Sequence, residues 1–196
     1  EGSWISTSYL VAEIIMIPLT AWLINLLGLR RLALWVTSGF LISSLLCSMA
    51  WSLNSMIVFR ALQGFTGGAL IPMAFTLSIL KVPPHMRSKT MAMFALTATF
   101  APAIGPTLGG WLTENWGWKY IFYINIPPGL IMLAGLMYSI DKVRPNWSLL
   151  KQTDYAGIVC MAIGLGCLQV FLEEGYRKDW LESNYIITLG VIAFTC

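Results

Sequence analysis

The sequence predicts an all-α fold, a polytopic bundle of transmembrane helices, and three observations point there. Of the 196 residues, 57% are hydrophobic and only 11% are charged, against roughly 25% charged in an ordinary soluble domain. The apolar residues fall into long runs separated by short polar loops. No run alternates with period two, and in lipid a helix is the segment that satisfies its own backbone groups.

A window of about 19 residues places apolar segments near 4–27, 32–52, 55–80, 90–113, 119–140, 155–172 and 184–196. The first five are each long enough, as helices, to cross roughly 30 Å of hydrocarbon. The first carries Glu13 at its middle, in YLVAEIIMIP, and ends at the tight basic turn GLRR. The second is uninterrupted, and the third opens with FRALQGFTGGAL. The fourth holds ATFAPAIGPTLGGWL and the fifth follows the aromatic loop around Trp116 and Trp118. The sixth is short for a span and the seventh runs to the last residue. The chain opens on Glu1 and closes on Cys196 within an apolar run, which reads as an internal piece of a longer protein.

Loop charge sets the orientation. One side receives Arg30 and Arg31, then Lys81, Arg87 and Lys89, then Lys142, Arg144 and Lys151. The other receives Lys119, and Arg177 and Lys178 diluted by Glu173, Glu174, Asp179 and Glu182. The positive-inside rule puts the first set in the cytoplasm. Trp4, Tyr9, Trp51, Trp111, Trp116, Trp118, Tyr120, Trp180 and Tyr185 gather near the outer ends, where aromatic residues anchor spans at the interface. The organisation that follows is a transmembrane bundle over 1–140, a cytoplasmic linker over 141–154, and a further span with the start of another over 155–196.

Several function classes are excluded or disfavoured. The net charge of +3 is spread over loop clusters and does not suggest nucleic acid. Cys47, Cys160, Cys167 and Cys196 lie in apolar runs without metal-ligand spacing and read as packing residues, so neither metal nor cofactor is expected. His85 stands in a basic loop beside Pro83 and Pro84, away from any nucleophile, and the chain has no phosphate-binding loop. The expectation is a protein that is not an enzyme.

Ionisable groups inside spans are costly, which makes Arg60 and Glu13 informative. Arg60 fits either snorkelling to the outer headgroups or a functional charge; Glu13 fits either a hydrogen-bonded neutral acid or a functional one. Gln63 and Gly64 lie three and four residues beyond Arg60 and share its helix face. Gly67 and Gly68 extend that close-packing surface. In the fourth span, Gly105 and Gly109 form a Gly-x-x-x-Gly pair that lets helices approach, while Pro102 and Pro106 permit a bend. Gly110 follows. The Gly28, Arg30, Arg31 turn serves as an orientation signal or as a cytoplasmic latch, its arginines pairing with acids or helix C-termini.

These motifs together resemble a known family. APAIGPTLGG is similar to the antiporter signature in the fifth span of drug/proton antiporters of the major facilitator superfamily. RALQGFTGGA resembles that superfamily's fourth-span motif, and PLTAWLINLLGLRRL its loop motif between spans two and three. The order also agrees. WISTSYLVAEIIMIPLTAWL, FYINIPPGL and TDYAGIVCMAIGLGCLQVFLEEG resemble the fourteen-span EmrB/QacA-type branch, EmrB-like multidrug exporters above all. Ala21, Asn25 and Leu26 depart from the loop motif.

The resemblance implies that the chain covers spans two to seven and the start of span eight. It implies drug/proton antiport across the inner membrane, with Arg60 coupling protons through an acid of the preceding span; Glu13, which belongs to no motif of the family, is the alternative partner on its place within a span alone. Pro102, Gly105, Pro106, Gly109 and Gly110 would form the seal and hinge, and Met16, Met73, Phe75 and Met93 would line a cavity for an amphipathic small molecule. The expected partners are that substrate, protons, membrane lipid, and an EmrA/TolC-like periplasmic adaptor and outer-membrane channel. An uptake transporter of the same superfamily and a non-transporting membrane scaffold are the competing readings.

Overall fold

In the computed structural model, residues 2–141, 143, 145–176, 180 and 183–196 are described. Lys142, Arg144, Arg177, Lys178, Asp179 and Glu182, counted above for orientation, lie outside the described residues. Nine α-helices appear among those described: α1 (Ser3–Leu27), α2 (Leu29–Ser48), α3 (Leu53–Gly67), α4 (Leu70–Lys81), α5 (Pro84–Asn115), α6 (Tyr120–Tyr123), α7 (Ile126–Ser139), α8 (Tyr155–Glu174) and α9 (Asn184–Thr195). A 3-10 turn, Trp147–Gln152, precedes α8.

Six helical stretches are long and apolar enough to cross a membrane, with α3–α4 and α6–α7 each counting as one. Proline breaks both pairs. Pro72 lacks the N–H that would bond the Gly68 carbonyl, so α3 ends at Gly67 and α4 starts at Leu70. Pro127 and Pro128 occupy the first turn of α7, where missing donors cost nothing, and divide it from α6.

Two helix starts differ most from the sequence expectation. α2 begins three residues earlier than 32, because Gly28 adopts φ +82 and turns the chain between helices in one residue. α5 begins at Pro84 rather than near 90. Its first turns, HMRSK, are helical but polar, so hydropathy does not register them.

Three helices form the body. α1 crosses α3 at very short range because Gly64 faces the Tyr9 backbone and Gly68 faces that of Glu13. α2 packs along the other side of α3 and also carries α7. The apolar core lies toward the α1–α2 turn, where Met16, Leu32, Ala33, Val36, Ala69, Met73, Leu136 and Ile140 meet. α8 packs on α1, with Gly166 against Val11 and Ile15, and α9 packs on α8. Among the described residues, α5 packs chiefly on its chain neighbours α4 and α6.

A β-carbon at Gly64 would collide with the Tyr9 carbonyl, and one at Gly68 would sit 2.6 Å from the Glu13 oxygen. Neither obstacle is a flexible side chain. Gly64→Ala and Gly68→Ala are each expected to destabilise the bundle by about 1–3 kcal/mol or more, read as a lowered unfolding midpoint in detergent.

Candidate functional site

The site grows from the start of α3. Ser52 caps the helix: its Oγ accepts from the Ser55 N–H at 3.1 Å, while its own N–H donates to Ser55 Oγ at 3.0 Å. The capping box fixes the helix phase. Arg60, Gln63 and Gly64 then share the face turned toward α1 and α2. The close approach at Gly64 brings the Tyr9 ring over the guanidinium, with Arg60 Cζ 4.4 Å from the ring centroid. The Phe122 ring of α6 lies at 5.9 Å.

Arg60 Nη1 donates to Gln63 Oε1 at 2.7 Å. Gln63 Nε2 donates in turn to Ser44 Oγ on α2, also at 2.7 Å. The Cys47 thiol, one turn from Ser44, points at Gln63 Oε1 from 3.9 Å. Gln63 is 2% exposed and Ser44 is fully buried, so the network lies away from solvent. Arg60 Nε is buried and hydrogen-bonds no described residue. Arg60 forms no ion pair with a described residue: the pair found among them is Lys81–Asp141. Glu13, on the same side of α1 one turn beyond Tyr9, is close enough to be felt electrostatically but does not contact the guanidinium.

The three-helix junction therefore holds Arg60, Gln63 and Gly64 together, with Glu13 nearby. Sequence reasoning gave Tyr9 an anchoring role at the interface. The structure instead turns its half-buried ring onto Arg60. Ser44 and Cys47 were missed as partners. The available signal was a run of small polar residues, Ser43, Ser44, Cys47 and Ser48, in an apolar span, since such residues hold helices together in lipid.

A second polar cluster occupies the end that carries the α1–α2 turn. Arg30 Nη1 donates to the Ile140 carbonyl at 2.8 Å, at the C-terminus of α7 where the helix dipole is negative. Lys81, ending α4, pairs with Asp141 at 2.5 Å. The Lys81 hydrogen bond holds the Asp141 carboxyl below its ordinary range, helped by the charges of Lys81 and Arg30. Asn146 N–H donates to the Leu26 carbonyl at 2.8 Å, and Gly28 lies against Val143. Arg31 is exposed. The segment after α7 thus ties the ends of α1, α2 and α4.

The remaining sequence-predicted residues are placed differently. Pro102, Gly105, Pro106, Gly109 and Gly110 lie on α5, and no atom of another element comes within 4 Å of where a β-carbon would sit on any of these three glycines. A groove of about 480 Å³ runs along that helix past Phe100, Ile104, Gly105 and Leu108. Met16 and Met73 are 2% and 1% exposed within the apolar core, so packing takes them off any cavity wall. Phe75 and Met93 are exposed, and the Phe75 ring packs at a tilt against Phe94 with centroids 4.5 Å apart.

A family model described as Major Facilitator Superfamily matches residues 1–196. The chain is 42% identical over 196 residues to the fatty acid resistance protein FarB of Neisseria gonorrhoeae, covering all of this chain and 38% of that protein. It is 46% identical over 185 residues to the colistin resistance protein EmrB of Acinetobacter baumannii, covering 94% of this chain and 36% of that one. It is 38% identical over 193 residues to the multidrug export protein EmrB of Escherichia coli, covering 98% and 38%. The chain spans little more than a third of the length of these relatives.

Gln63→Leu removes the acceptor of Arg60 and the donor to Ser44 while leaving Ser44 buried and Arg60 half-buried. The expected cost is about 1.5–3 kcal/mol, seen as a lower unfolding midpoint. Ser44→Ala should cost less, because Gln63 keeps Arg60.

Proposed function

The chain belongs to the Major Facilitator Superfamily, and from that premise we propose that the protein it forms part of exports amphipathic drugs or toxic compounds across the cytoplasmic membrane in exchange for protons. Arg60 carries this reading. It is a guanidinium within a span, with one N–H buried and bare and no carboxylate upon it. Charge at that depth is expensive and is by default functional. The names of the relatives, which speak of multidrug export and of resistance to fatty acids and colistin, support the same class of cargo.

In the proposed cycle a carboxylate reaches the open side of Arg60 and exchanges its proton there. An adjacent cation lowers a carboxylate pKa by roughly one to three units, while burial raises it. Such a site titrates near neutral pH as access alternates between the two sides. Because Glu13 stays unpaired, we favour an acid from a span outside this chain. The bare Pro102–Gly110 face of α5 acts as hinge and seal against the other half of the transporter while the halves rock. Phe75 and Met93, exposed on neighbouring helices, remain the contacts proposed for an amphipathic substrate. A periplasmic adaptor and an outer-membrane channel, EmrA/TolC-like, complete the route.

Arg60→Ala in the full-length transporter is expected to abolish proton-driven ethidium export from loaded vesicles; export that still follows the proton gradient would overturn the coupling role. Gly105→Leu or Gly109→Leu should abolish export at near-normal insertion and expression. Lost insertion would assign the glycines to static packing instead.

A further inference from the structure

Arg60 is held without any negative charge in contact with it. Its neighbours are the face of Tyr9 at 4.4 Å, the Gln63 side-chain oxygen at 2.7 Å and the more distant Phe122 ring. The Tyr9 hydroxyl makes no hydrogen bond to a described residue, so what Tyr9 offers is its ring. The Tyr9 backbone is clamped against Gly64, which sets where its ring stands relative to α3.

The geometry points to Tyr9 as a positioning residue: its ring is the neutral seat on which Arg60 rests whenever no carboxylate holds it. The inference deepens the proton-exchange reading above and rests on it. A cation over an aromatic face is attracted by the ring quadrupole, most strongly where water is excluded. That attraction involves no proton transfer over the range in which a carboxyl titrates, so across that range the seat does not change with pH. A carboxylate must draw Arg60 off the seat, and protonation of that carboxylate lets the arginine return. The strength of the seat thereby sets the pH at which the exchange occurs.

The sign follows from competition. Weakening the seat favours the arginine–carboxylate pair, so the carboxyl holds its proton only at lower pH. Removing Arg60 does the opposite, since the carboxylate loses its cation. The other titratable groups facing Arg60 are Glu13 beside Tyr9 on α1 and Cys47 on α2. From α6 comes only the Phe122 ring. Tyr9→Leu leaves all of these in place.

The test is infrared titration of the protonated carboxyl band in the full-length transporter, reconstituted in lipid without drug. Arg60→Ala identifies the relevant band by moving its midpoint to higher pH. Tyr9→Leu is expected to move the same band to lower pH by about one unit, while Tyr9→Phe leaves it at the wild-type position. Fluorinated phenylalanines at position 9 keep the shape but drain the ring quadrupole, so they should lower the midpoint step by step. This series serves even where Tyr9→Leu fails to fold. A flat series, or a Tyr9→Phe shift as large as that of Tyr9→Leu, overturns the seat. A band that moves in Arg60→Ala alone defeats this inference and leaves the coupling reading intact. If no band moves in Arg60→Ala, the coupling reading falls and takes the seat with it.

Discussion

The crossing of α1 over α3 governs the rest of this half-bundle. In lipid there is no hydrophobic gain in bringing two apolar helices together, so association depends on close packing and hydrogen bonds between them. Gly64 and Gly68, one turn apart, remove the side chains that would hold the backbones away from Tyr9 and Glu13. That single contact fixes the rotation of both helices. It decides that Tyr9 faces Arg60, that Gln63 faces Ser44, and that the polar face of α3 is buried between helices.

The energetics of the arginine follow from this enclosure. An arginine at the centre of a membrane helix costs about 2.5–3.5 kcal/mol on insertion scales. A hydrogen bond to a charged group returns about 1.5–3 kcal/mol, and a desolvated cation–π contact up to about 2 kcal/mol. These terms roughly cancel. Arg60 can remain charged in the membrane without an ion pair, yet nothing locks it there. A carboxylate in direct contact would have bound it far more firmly, and an arginine fully satisfied by amides would have no reason to respond to one.

Much of the architecture was readable from the chain because lipid makes simple demands. Long apolar runs became helices, and the basic residues Arg30 and Lys81 met at one end as loop charge required. The Arg60–Gln63 pairing was legible from i,i+3 spacing on one face. The Gly-x-x-x-Gly spacing was legible too, but it occurs twice. The pair at 64 and 68 packs within this chain, whereas the pair at 105 and 109 faces no neighbour in it. Spacing alone carries no information about which partner a helix finds. The same limit explains Met16 and Met73, which look like flexible cavity residues in sequence and are packed away in the core. Tyr9 was hidden for another reason. An aromatic residue near a span end signals an anchor, and only the depth of the α1–α3 crossing turns it inward.

The contrast between α5 and the body bears on how this bundle moves. α1, α2 and α3 are joined through their middles by glycine contacts and the Arg60 network, and at the end that carries the α1–α2 turn Arg30, Lys81 and Asp141 bind α2 and α4 to the segment after α7. α5 shares none of these ties. It packs little beyond α4 and α6, its immediate neighbours in the chain. Its prolines at 102 and 106 weaken the helix ladder over the stretch that carries the bare glycines. A helix held mainly at its ends and loosened in the middle yields more easily than one clamped along its length. Under the proposed exchange mechanism, the charge that responds to protons therefore lies in the rigid part of the half-bundle and the surface that must slide lies on the compliant part. That arrangement lets Arg60 keep its geometry while α5 changes neighbours.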